Sequence, residues 1–122
     1  MALIFWGSAL TGGDTDELAR RASGVEEPVE IQRIKDVAHV TEYGLLAVLL
    51  VRAFTGRSYT PSRSQMLWSF AIAALYGVTD ELHQYFIPQR YPGMDDIIRN
   101  TVGAGLGVLL VRGITYIRNA RL

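Results

Sequence analysis

Four blocks of apolar residues, apolar all the way round rather than along one stripe, alternate with polar stretches along the chain. The first, residues 2–10, reaches about 14 Å as a helix, half of the ~30 Å that a bilayer core needs. The second runs from about residue 35 to 54 around an unbroken apolar core at 44–51, and Gly56 with the polar run GRSYTPSRS ends it. Thr60 as N-cap, with Pro61 in the first helical position, starts a third helix that carries residues 66–86 and stops before Pro88. PQRYPG reads as a tight loop, and Asp95 or Asp96 caps a fourth helix reaching about Ile117. Between the first two blocks, residues 11–33 are polar and mostly acidic, broken by Gly12, Gly13, Gly24 and Pro28. Within them DTDELARRASG holds Asp14 and Glu17 at capping-box spacing and Gly24 as a stop, which predicts a short surface helix.

Charge sharpens this reading. None of the long helices has the charged face that a soluble amphipathic helix presents. Only Arg52 and Arg112 fall inside apolar stretches, each near enough to an end to snorkel. The pattern predicts an all-α, small polytopic membrane helical bundle: three full transmembrane helices plus a short N-terminal hydrophobic helix, one domain over residues 1–122. A compact soluble helical bundle is the competing expectation, with less of the pattern behind it. Arg57 and Arg63, with Arg52 just inside, lie on one side together with Arg112, Arg118 and Arg121, and no acid accompanies them. All twelve Asp and Glu fall on the other side. The positive-inside rule puts the arginine-only side in the cytoplasm, against the weaker vote of Arg20, Arg21 and Arg33, and both termini are inside if the first block spans. Zero net charge gives no pull towards nucleic acid, and the lack of Cys excludes disulfides and thiolate metal sites. MALIFWGSAL has no charged residue ahead of its apolar core, so a cleavable signal peptide is not expected.

With this topology the second helix begins, the third ends and the fourth begins on one side, so their polar residues meet. Lys35, His39, Glu42 and Tyr43 are spaced to share one helix face. Asp80, His83 and Gln84 share a face of the third helix, with Glu81 about a quarter-turn away, while Asp96 and Asn100 share a face of the fourth that Gly103 continues. Each piece has a bland explanation. A lone His at a helix end usually just hydrogen-bonds across an interface, and Asp95 and Asp96 favour the dipole of a helix start. GAGLG, residues 103–107, suits close helix packing, and Trp6, Tyr59, Trp68, Tyr85, Tyr91 and Tyr116 suit anchoring at a membrane surface. Convergence from three helices is harder to explain so, because ionisable groups within a membrane are costly and mark sites.

The run Asp80-Glu81-x-His83-Gln84-x3-Pro88-x-Arg90, followed by Asp96-x3-Asn100-x2-Gly103, resembles the VanZ-like family of small bacterial membrane proteins. His39-x2-Glu42-Tyr43 resembles that family's second-helix motif. The resemblance implies a four-helix scaffold in the bacterial inner (cytoplasmic) membrane and a set of characteristic positions, rather than a reaction. The family takes its name from a protein associated with teicoplanin resistance. One departure stands out: where members usually carry a basic residue three before the histidine, this chain has Asp36, with Lys35 four before.

Three functional expectations follow. The first is a non-enzymatic accessory or scaffolding subunit of a larger membrane complex, with the polar cluster locking helix ends at the extracytoplasmic face. The second is binding or processing of a lipid-linked envelope precursor or glycopeptide. There Arg90 would grip a phosphate or carboxylate, and His39 or His83 would act as acid or base beside Glu42, Asp80 and Glu81. Gln84, Asp96 and Asn100 would orient the partner groups, although no obvious nucleophile, neither Cys nor Ser, stands in the motif. The third, weakest, is a metal site drawing on His39, His83 and carboxylates such as Asp80, for which no local His pairing exists. No cofactor is implied; membrane lipids, a larger complex and the precursor are the partners to expect.

Overall fold

Pro28 starts a helix rather than breaking one. In the computed structural model, which describes residues 10, 12–56, 58, 60–88 and 93–121, there are four helices and no strand among the described residues. They are α1, Gly12–Ser23; α2, Pro28–Thr55; α3, Arg63–Gln84; and α4, Met94–Asn119. The first apolar block lies outside the described residues apart from Leu10.

The helix ends follow from local chemistry, and several differ from the sequence expectation. Pro28 occupies the first turn of α2, where its missing N–H is not needed, so the helix begins well before residue 35. Gly24 (φ 69°) and Gly56 (φ 58°) take left-handed backbone conformations after α1 and α2. Their N–H groups donate to the carbonyls of Arg20 and Arg52, which closes both helices as expected. Asp14 sits inside the first turn of α1, and Glu17 pairs with Arg21 at 2.7 Å instead of closing a capping box. The box is found at α3: Ser62 Oγ accepts from Gln65 N–H, and Gln65 Oε1 accepts from Ser62 N–H. Thr60 has Arg63 three residues on, which offers no acceptor, and so the cap moves to Ser62. Gly93 caps α4, placing Asp95 and Asp96 in its first turn against the positive end of the dipole.

α4 packs most extensively on α2, and the two run parallel. Gly103 lies on the Val40 backbone and Gly107 on the Gly44 backbone, a constant offset of 63 residues that keeps the helices in step for a full turn. A Cβ added at Gly103 or Gly107 would run into the carbonyl of Val40 or Gly44, and one at Gly44 would stand 3.2 Å from the Gly103 carbonyl oxygen. GAGLG is therefore a close-packing seam, as its spacing suggested, with Gly44 as its unforeseen counterpart. α3 runs antiparallel and closes the third side around Tyr43, Leu46, Ala47, Ala73 and Ala104. Tyr43 fits because Gly77 opposite it has no side chain; a Cβ there would lie 3.3 Å from the Tyr43 ring and 3.0 Å from Asn100 Cβ.

This core is small. Among the described residues seven hydrophobic side chains are buried, whereas twenty-two large ones are exposed. Those run along α2, α3 and α4, from Leu45 and Leu49 through Leu67 and Leu75 to Leu109 and Ile114, far more than a water-facing monomer of this size presents. α2 and α4 are long and apolar enough to cross a membrane. α3 has the length, but its apolar run ends at Val78, and Thr79 to Gln84 keep it from qualifying.

Candidate functional site

The N-terminal halves of α2 and α4 and the C-terminal turn of α3 meet at one end, where the Gly103 contact draws α2 and α4 together. Close approach lets two short side chains touch: His39 Nδ1 lies 3.1 Å from Asn100 Oδ1. With the amide oxygen facing the ring, the contact is a hydrogen bond when the imidazole proton is on Nδ1. Asn100 is fully buried, against Gly77 of α3.

α3 contributes the acidic wall. Asp80, Glu81 and Gln84 are all buried and His83 is half-buried, so the helix turns more of the motif inward than the single face Asp80–His83–Gln84 expected from spacing. Gln84 Nε2 donates to Asp80 Oδ2 at 3.0 Å. The Tyr43 hydroxyl of α2 lies beside the same carboxyl. Tyr43 Oη, Asp80 Oδ1 and Asn100 Nδ2 are buried polar atoms with no hydrogen-bond partner among the described residues. Such atoms are rare in folded proteins.

Around this centre lies an ion-pair ring that sequence reasoning did not anticipate. Arg99 of α4 reaches Asp96 through Nη1 at 2.7 Å and Asp36 of α2 through Nε at 3.3 Å. Gln32 donates to Asp36 at 2.8 Å. Asp36 thus stands where a basic residue was expected, and Arg99 supplies the opposite charge from the facing helix. The signal was present in DDIIRN, whose Asp96 and Arg99 have helical pair spacing. Lys35 turns outward and binds Asp16 at 2.9 Å, tying α1 to α2 instead of lining the cluster.

The predicted residues therefore divide. His39, Asp80, Glu81, His83, Gln84, Asp96 and Asn100 come to the one end, with the buried members on inward faces. Glu42 is exposed, one position before the buried Tyr43. Arg90, the expected anion grip, lies outside the described residues. Among the described residues no three His, Asp or Glu side chains form a group able to hold a metal, and His39 Nδ1 is taken up by Asn100.

The chain belongs to the VanZ/LLP1 family, whose model matches residues 2–116, nearly the whole sequence. No curated protein and no solved structure matches it.

Proposed function

We propose that this protein is a multi-pass membrane protein serving as a non-enzymatic accessory or scaffolding subunit, with the polar cluster locking three helix ends at the extracytoplasmic face. The lock rests on one observation: the cluster is largely closed by its own cross-helix partners, His39 on Asn100 and Arg99 between Asp36 and Asp96. The chain has no Cys and the cluster presents no serine, the two commonest activated nucleophiles. Membrane insertion is supported by the exposed apolar surface and by exposed Trp68 and Tyr85, about 26 Å apart along α3, close to the thickness of a hydrocarbon core. In this reading α2, α3 and α4 all span, and the arginine-only end faces the cytoplasm of a bacterial cell.

A second reading is favoured by the three buried polar atoms without partners, Tyr43 Oη, Asp80 Oδ1 and Asn100 Nδ2. A lipid-linked envelope precursor or glycopeptide would supply hydroxyl or amide groups to them, with Arg90 gripping its phosphate or carboxylate. Extraction in a gentle detergent followed by mass spectrometry of co-purifying material separates the two. A stoichiometric protein partner is expected. A lone protein carrying a polyprenyl-linked precursor would overturn the scaffold in favour of the binding site.

A further inference from the structure

Three buried atoms of the cluster meet at one place from three different helices. Tyr43 Oη of α2, Asp80 Oδ1 of α3 and Asn100 Nδ2 of α4 have no hydrogen-bond partner among the described residues, and each of these residues is 4 % exposed or less. Gly77 brings two of them together: a Cβ built on it would lie 3.3 Å from Tyr43 Cε1 and 3.4 Å from Asn100 Nδ2. Asp80 stands one turn further along the same face of α3, with the Tyr43 hydroxyl beside its carboxyl. Two of the atoms are the unused half of a group whose other half is engaged. Asn100 Oδ1 faces His39 Nδ1, which leaves the amide N–H groups, and Asp80 Oδ2 accepts from Gln84 Nε2, which leaves Oδ1. Tyr43 is held by its ring, which packs against Gly77 and lies 6.4 Å from the ring of Tyr76. The set offers a donor in Asn100 Nδ2, an acceptor in Asp80 Oδ1 and a hydroxyl that can be either.

We propose that these three atoms hold a single hydroxylic oxygen, a water molecule or the hydroxyl of a ligand, that ties α2, α3 and α4 together. The proposal deepens the lock described above and rests on it: the His39–Asn100 and Arg99–Asp36 contacts join α2 to α4, and the oxygen brings α3 into the same lock. Donors and acceptors select the occupant. It has to accept from Asn100 and donate to Asp80. A phosphate or carboxylate oxygen has no proton to donate, and a metal ion or an ammonium group has no lone pair to accept with. A hydroxylic oxygen does both and keeps a further site for Tyr43 Oη, which gives it about the three hydrogen bonds usual for a buried water. Buried polar groups standing beyond direct hydrogen-bond reach are commonly joined in this way. The rival arrangement is direct closure, with Tyr43 Oη donating to Asp80 and accepting from Asn100. The structure makes neither bond, and packing of the Tyr43 ring and the second bonds of Asp80 and Asn100 hold the three groups where they are.

The test is a structure of the full-length protein crystallised from a lipidic phase, read at these three atoms. One density peak at about 2.7–3.2 Å from all three is expected. An isolated peak identifies a water, and density running on from it identifies the hydroxyl of a ligand, whose mass is then read from an organic extract of the same crystals. Tyr43 Oη in direct contact with Asp80 Oδ1 and Asn100 Nδ2 would overturn the proposal. So would a tetrahedral anion, or a metal at about 2.0–2.5 Å. Exchanging donor and acceptor gives a second check, in solution. Asp80→Asn alone sets two amide N–H groups at the oxygen, and Asn100→Asp alone sets two carboxyl oxygens there. The double variant Asp80→Asn/Asn100→Asp restores one of each and still offers an acceptor to His39 and to Gln84. Its folding equilibrium in mixed micelles should be about tenfold more favourable than the two single losses combined predict. Strict additivity would overturn the proposal. A protein isolated without any stoichiometric partner yet showing the oxygen overturns the scaffold reading alone, whereas direct closure in a protein bound to its partner overturns this proposal alone.

Discussion

Replacing Gly103 by alanine puts the seam between α2 and α4 under a defined load. The new Cβ would stand 3.0 Å from both the carbonyl carbon and the Cα of Val40, with the carbonyl oxygen nearer still. Ordinary contact begins at 3.4 Å, so the two helices must part by at least 0.4 Å, and the oxygen asks for more. The obstacle is helical backbone, which has no rotamer to escape into. Opening a packed contact by 0.5–1 Å forfeits roughly a quarter to a half of its dispersion energy. In lipid that loss is not offset elsewhere, because tails are as apolar as the interface and cohesion comes from packing itself. Overpacking of this kind costs about 1–3 kcal/mol, against which alanine returns up to about 1 kcal/mol of helix propensity. A net destabilisation of about 1–2 kcal/mol is expected. Gly105→Ala is the control: its Cβ would meet only Phe70 Cε2 at 3.8 Å, so this variant should be neutral or slightly more stable. Reversible unfolding in mixed micelles, followed by helicity, measures both. If Gly103→Ala proves as stable as Gly105→Ala, α2 and α4 do not touch backbone to backbone, and the placement of His39 against Asn100 falls with that contact.

Four further expectations use the same unfolding assay. Asn100→Ala should destabilise by about 1–3 kcal/mol by removing the acceptor of His39 Nδ1, and Asn100→Asp, which keeps that acceptor, should recover part of the loss. Arg99→Gln should lose only about 1 kcal/mol, because the side chain is 31 % exposed, and combining it with Asp36→Asn should cost less than the two losses added. Ser62→Ala should cost about 1 kcal/mol through the lost capping box, whereas Thr60→Ala should leave stability nearly unchanged. Lys35→Ala should barely alter global stability yet speed amide exchange in α1, whose tie to α2 includes the Lys35–Asp16 pair.

The long helices were legible because their signals are local: an apolar block, a glycine stop, a loop rich in Gly and Pro. Ends were less legible where two signals compete. Pro28 reads equally as breaker or starter until the residues after it are seen to be helical. At the start of α3, Thr60-Pro61 and Ser62-x-x-Gln65 are rival caps, and the second prevails because it satisfies two N–H groups rather than one. The cluster was legible as a set of positions but not as a set of pairs. Arg99 went unnoticed because it sits among acids on a helix face whose partner, Asp36, is 63 residues away. Spacing within a helix told that Lys35 and His39 share a side, but not that α1 would draw Lys35 off to Asp16.

The seam also explains why the two ends of the bundle differ. Asparagine and histidine are short, and they meet at 3.1 Å only where the backbones of α2 and α4 nearly touch. Gly103 and Gly107 provide that approach beside the polar cluster. The helices are thus pinched at the acidic end and open towards the arginine end, where a groove lined by Arg52 and Arg118 lies between them. A change in the seam should therefore register at both ends, loosening the His39–Asn100 contact while altering the groove, although neither set of side chains has been touched. Measuring amide exchange in Gly103→Ala would show whether the pinch and the groove are one device: faster exchange at both ends of α2 and α4 links them, and a change confined to the acidic end means the arginine end holds its shape independently of the seam.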